Sequence, residues 1–149
     1  MRRRFIFKGI IQGVGFRPTV YRVAARLSLG GFVRNCRSEV IAELEGPDEK
    51  LDQFEEELRA TLPRAARIES LKKETIPEKG ETDFKIAESG GARFTFPPIP
   101  PDLCICEDCK RELLNPKDRR YLYPFITCTQ CGPRYSIVTD TPFDRERSS

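Results

Sequence analysis

Histidine is absent from all 149 residues. That removes Ser-His-Asp and Cys-His nucleophilic catalysis, histidine general bases and imidazole-ligated metals. Long apolar runs are absent too: none approaches the roughly 18 residues that a membrane-spanning helix needs. The opening Met1-Arg2-Arg3-Arg4-Phe5-Ile6-Phe7 is basic, but its apolar run stops at Lys8 and no cleavage site follows. It is not a secretion signal, so the expected compartment is the cytoplasm, with no membrane partner. A strong charge of either sign is also missing. The net charge of +3 is too small to argue for nucleic acid, and acids and bases are mixed along the chain. With 38% hydrophobic and 33% charged residues, the chain describes one ordinary domain or two small ones with modest cores.

The most informative stretch is Gly9-Ile10-Ile11-Gln12-Gly13-Val14-Gly15-Phe16-Arg17-Pro18. It follows an apolar strand over 5–11 and runs into a helical pattern beginning at Pro18. Two glycines bracketing one valine let the backbone curl and turn its N–H groups inward. Arg17 stands at the loop exit, so amides, a helix dipole and a guanidinium converge on a place suited to a tetrahedral oxyanion such as phosphate. Neither familiar phosphate motif is present. Pro18 replaces the third glycine of G-x-G-x-x-G, and no Gly-Lys-Ser/Thr follows.

Apolar residues Val20, Val23, Ala24 and Leu27 predict an amphipathic helix ended by Gly30-Gly31. A second strand is expected over 32–37. After a turn at Ser38-Glu39 comes a third, with Val40, Ala42 and Leu44 inward and Glu43 and Glu45 outward. Gly46-Pro47-Asp48 opens a second helix carrying Leu51, Phe54, Leu58 and Leu62, with acids in its first turns where the dipole favours them. Pro63 stops it. A fourth strand over 68–76, a turn over 77–82 and a short closing strand over 83–86 complete the set. The order β-α-β-β-α-β, with room for one extra short strand, predicts an α+β, ferredoxin-like sandwich over 1–90. Ser89-Gly90-Gly91 and Pro97-Pro98-Ile99-Pro100-Pro101 predict a linker over 91–101. A second unit is expected over 102–149.

Five of the six cysteines lie between 104 and 131. Cys106-x2-Cys109 and Cys128-x2-Cys131, eighteen residues apart, have the spacing of a four-cysteine zinc site. All-sulfur ligation points to a structural ion. Cys104 gives only C-x-C and C-x4-C spacings and stays open as a thiol or an alternative ligand. Arg119-Arg120-Tyr121-Leu122-Tyr123 interleaves bases with aromatics. It reads first as packing for a core-poor unit, with contact to nucleic acid the lesser alternative.

Residues 1–90 resemble the acylphosphatase family in both of its signatures, Ile11-Gln12-Gly13-Val14-Gly15-Phe16-Arg17 and Gly31-Phe32-Val33-Arg34-Asn35. The resemblance implies that the amides of Gln12, Gly13, Val14, Gly15 and Phe16, with Arg17, hold the phosphate of an acyl phosphate. It implies that Asn35 orients the attacking water. The family has glycine four positions after that asparagine; here Glu39 stands there, a carboxylate expected near the anion. Arg34 and Arg37 read as surface residues, and Cys36 as a small buried apolar one.

The cysteine segment, with Tyr123-Pro124-Phe125-Ile126-Thr127-Cys128-Thr129-Gln130-Cys131-Gly132-Pro133-Arg134-Tyr135, resembles the N-terminal part of the HypF family of carbamoyltransferases in [NiFe]-hydrogenase maturation. That implies hydrolysis of carbamoyl phosphate as a first step and a HypE-type protein as eventual acceptor. It also implies a chain truncated before further domains. The competing expectation is a non-catalytic zinc-ribbon module, binding a protein partner or nucleic acid, behind a relic phosphate-binding domain.

Overall fold

A computed structural model describes residues 1–90 and 105–126. The expected linker, Cys104, Cys128 and Cys131 lie outside the described residues. The elements are β1 (Arg2–Ile10), α1 (Phe16–Arg26), β2 (Gly30–Cys36), β3 (Glu39–Glu45), α2 (Asp48–Ala60), β4 (Arg67–Ile76), β5 (Phe84–Ile86) and α3 (Glu107–Leu114). The sheet order is β4-β1-β3-β2-β5. As expected, this is a ferredoxin-type α+β arrangement. It carries one addition, since β5 pairs parallel to β2 at the edge of an otherwise antiparallel sheet.

Alternation decides which face is buried. Phe5 and Phe7 of β1, Val33 of β2, and Val40, Ala42 and Leu44 of β3 are fully buried in one cluster with Val20 of α1 and Leu51, Phe54 and Leu58 of α2. Burying each large side chain contributes about 1.5–3 kcal/mol. Phe54 meets Phe5 edge-on at 5.3 Å between ring centroids, and Phe16 meets Phe7 the same way at 5.1 Å.

Two expectations need correction. Gly30-Gly31 does not end α1. The helix closes at Leu27, and Ser28 takes the left-handed conformation with φ 54°. The glycines open β2 instead, because neighbouring backbone leaves no room for a side chain. A Cβ on Gly30 would lie 1.8 Å from the Glu81 carbonyl, and one on Gly31 2.0 Å from that of Glu43. Glu43 is not solvated either. It faces away from the helices yet is only 5% exposed, because β1 extends back to Arg2 and two arginines close over it.

Arg2, fully buried, reaches Glu43 at 2.7 Å, Glu45 at 2.9 Å and Glu81 at 2.8 Å, while Arg4 reaches Glu43 at 2.9 Å. Glu45 also accepts the Lys79 and Gly80 amides at 3.0 and 2.8 Å, fastening the 77–82 turn to the sheet. The Lys79 amide does most to hold the Glu45 carboxyl down at about 2, helped by the Gly80 amide and Arg2 against a burial effect of opposite sign. For Glu43, burial pushes upward but hydrogen bonds from Arg2 and Arg4 outweigh it, leaving the value lowered. Both groups titrate lower when folded, so their stabilisation is present above the ordinary value of 4.5 and is lost as pH falls through their lowered values, about 2 for Glu45. Melting temperature is therefore expected to drop across that acid window, and Glu45→Gln to flatten the drop. An unchanged profile in the Gln variant would contradict the assignment.

Candidate functional site

β1 and β2 both run antiparallel to β3, so the loop leaving β1 and the last residues of β2 share one end of the sheet. Phe7, Val40 and Asn35 form one row across the strands there, with side chains on the helix-facing side. A bulge at Lys8/Gly9 releases β1 from its register, and Ile11 and Val14, each 1% exposed, pin the following loop into the core. Between and after them Gly13 and Gly15 adopt φ 70° and 78°, a conformation that costs other residues about 1–2 kcal/mol.

The loop reaches its helix two residues earlier than the proline suggests. Gly15 is the N-cap and its carbonyl accepts both the Thr19 amide at 3.2 Å and the Thr19 hydroxyl at 3.0 Å. Pro18 thus sits inside the first turn, where its missing N–H leaves no helical bond unmade. The amides of Gly13, Val14, Gly15 and Phe16 have no acceptor among the described residues. The first turn of α1 also contains no acidic residue. The positive end of the helix dipole and a curl of N–H donors therefore open on the same place. Arg17 is the second helical residue, half-buried, and its Nη1 donates to the Ser89 hydroxyl at 3.4 Å.

Asn35 is the second half of the site. It is fully buried, and neither its Nδ2 nor its Oδ1 has a hydrogen-bond partner among the described residues. Leaving a buried carboxamide unsatisfied costs about 1–3 kcal/mol. Such a group, at the same end of the sheet as the loop amides, is a candidate contact for a bound molecule. Its backbone is well held: the Asn35 carbonyl accepts the Gly90 amide at 2.9 Å.

The other sequence candidates are sorted by face. The Gln12 side chain, 3% exposed, donates from Nε2 to the carbonyls of Arg37 at 2.8 Å and Glu39 at 3.1 Å. It braces the loop against the β2–β3 turn, so Gln12 can offer an anion only its backbone. Glu39 pairs with Cys36 on the opposite side of the sheet from Asn35, and its carboxylate meets Lys8 at 3.1 Å. The expected intrusion of a carboxylate near the anion site does not occur. Arg34 lies on that far side over the Phe32 ring at 5.6 Å, and Arg37 is exposed in the turn. Cys36 also points to the far side and is half-buried rather than buried. Ser89 escaped the sequence reading because Ser-Gly-Gly marks a linker locally, and only the pairing of strands brings it back to Arg17.

In the second segment, Cys106 caps α3 and Cys109 lies in its first turn, 1% exposed. The two sulfurs, three residues apart, share one side of the helix end. Sulfur-only donors at this spacing fit zinc. Among the described residues no group of three or more potential ligands gathers, since Cys128 and Cys131 lie outside them. Arg120 is tied to Glu112 of α3 at 2.7 Å, and the Leu122 amide to the Leu113 carbonyl at 2.9 Å. Part of the basic-aromatic run is thereby used for packing.

Comparison with known proteins finds two family models along the chain. Residues 3–86 match the acylphosphatase family model, and residues 105–138 match the HypF finger model. Over 148 residues the chain is 45% identical to the probable carbamoyltransferase HypF of Methanocaldococcus jannaschii, covering 98% of this chain and 19% of that protein. It is 39% identical over 90 residues to an acylphosphatase of Moorella thermoacetica, covering 60% of this chain and 96% of that one. A crystal structure of full-length HypF in the phosphate- and nucleotide-bound form superimposes with a TM-score of 0.86 at 43% identity, over 99% of this chain and 19% of that one. The chain spans about a fifth of the length of the HypF relatives it matches.

Proposed function

The chain belongs to the acylphosphatase family and continues into a HypF finger, and from that premise we propose that its first domain hydrolyses acyl phosphates. The observation that carries the reading is Asn35, a fully buried carboxamide with both polar atoms unpartnered among the described residues, at the end of the sheet where the Gly13–Phe16 amides converge. In this reading the loop amides, the helix end and Arg17 hold the phosphoryl oxygens. Asn35 holds a water in line with the phosphorus–oxygen bond to the acyl group. Water oxygen bonds to phosphorus, the carboxylate departs with the bonding pair, and the water's proton leaves with inorganic phosphate or to solvent. Because a carboxylate is a good leaving group, positioning and fixed positive charge suffice without a strong base. That suits a chain with no histidine.

The finer reading takes carbamoyl phosphate as substrate and carbamate as product. In a longer protein, carbamate would be passed on for carbamoyl transfer to a HypE-type partner, towards a cyanide ligand of the hydrogenase iron. Cys106, Cys109, Cys128 and Cys131 would hold one zinc ion, which supplies a cross-link between the two knuckles and no chemistry. The nucleic-acid alternative is weakened because Arg120 is occupied by Glu112.

Phosphate release from carbamoyl phosphate, benzoyl phosphate and p-nitrophenyl phosphate tests the reaction class. Both acyl phosphates are expected to turn over with competitive inhibition by inorganic phosphate, and the monoester to remain intact. Equal turnover of the monoester, or no inhibition by phosphate, would overturn the proposal.

A further inference from the structure

The acylphosphatase match ends at residue 86, but the chain continues along β2 for four more residues. The Ala87 amide bonds the Val33 carbonyl at 2.9 Å, the Gly90 amide bonds the Asn35 carbonyl at 2.9 Å, and the Arg37 amide bonds the Gly90 carbonyl at 3.3 Å. An isolated parallel bridge joins Cys36 and Gly90. The strap therefore covers the outer edge of β2 as far as the candidate water-positioning residue. Between its fixed points stands Ser89, half-buried, whose Oγ accepts Nη1 of Arg17 at 3.4 Å. One short segment beyond the matched domain thus fastens the Asn35 backbone and touches the Arg17 guanidinium.

We propose that Ser89 is a positioning residue of this site, setting the plane of the Arg17 guanidinium against the bound phosphoryl group. The inference rests on the phosphate-binding role given to Arg17 above. A guanidinium presents its donors in a rigid planar fork, so restraining one nitrogen directs the others. Ser89 has no part in bond breaking. Its loss loosens the Arg17 guanidinium without removing its charge, which raises KM and the phosphate inhibition constant and lowers kcat by a smaller factor.

The test uses the full 149-residue chain with benzoyl phosphate as substrate and inorganic phosphate as inhibitor. Ser89→Ala is expected to raise KM and the phosphate inhibition constant about three- to tenfold, with a smaller fall in kcat and an unchanged melting temperature. Ser89→Thr, which keeps the hydroxyl, is expected to restore both constants. Unchanged constants in Ser89→Ala, or equal losses in the Ala and Thr variants, would overturn the positioning role. Arg17→Ala separates the two levels. If it abolishes phosphate inhibition while Ser89→Ala behaves as the unsubstituted chain, only this inference fails. If Arg17→Ala still binds phosphate normally, the underlying site assignment fails.

Discussion

Arg17→Ala is expected to lower kcat/KM for acyl phosphate hydrolysis by about a thousandfold, and Asn35→Ala by about a hundredfold. The two losses should appear in different constants. Arg17 meets the phosphoryl group before and during reaction, so its removal raises KM and the phosphate inhibition constant as well as lowering kcat. Asn35 is assigned to the water, so its removal lowers kcat while phosphate binds nearly as before. Stability provides an independent signature. The Asn35 carboxamide is buried with neither atom partnered among the described residues, a cost to the folded state of about 1–3 kcal/mol set against the small cavity that alanine leaves. Asn35→Ala should therefore lose activity with its melting temperature held or raised, the pattern of a residue kept for function at the expense of stability. An Asn35→Ala variant retaining full kcat would refute the assignment, as would one that simply unfolds.

How much of this was legible in the sequence depends on the range of the interaction. Element order, the inward phenylalanines of β1 and the helix faces follow from periodicities of two and 3.6, which are local. The glycine curl was legible for the same reason. What local patterning misses is set by partners far along the chain. Arg2 looks like part of a basic, solvated start, yet it is fully buried because Glu43, Glu45 and Glu81 converge on it. Glu43 obeys the alternation expected of it and is still buried, because the second face of the sheet is covered by that network. Helix α1 begins at Phe16 rather than Pro18 because Gly15 supplies the left-handed cap. The Glu39 departure looked damaging in one dimension. In the sheet it faces the far side and pairs with Lys8. Ser89 required the parallel edge pairing of β5, which no short motif announces.

Stripping zinc with a chelator is expected to unfold the cysteine segment while leaving the first domain folded and active. Burial supplies the reason. Among the described residues from 105 to 126, only Cys109 and Ile126 are buried, whereas the first domain holds a cluster of eighteen buried apolar residues. The described part of this unit buries too little to offset its own chain entropy, and small units of this kind are held by cross-links or metals. Structural zinc in finger peptides is worth about 10–16 kcal/mol at neutral pH, far more than such a core supplies. One zinc per chain is expected by metal analysis. Cys109→Ser or Cys128→Ser should abolish it and open residues 105–138 to protease. Hydrolysis of benzoyl phosphate should stay within about twofold, since the first domain has a core large enough to stand alone. Cys104→Ser discriminates the ligand sets: it should retain the metal if Cys106 and Cys109 form the first knuckle. Loss of zinc in that variant, or a protease-resistant segment after chelation, would show that something other than these four sulfurs holds the unit together.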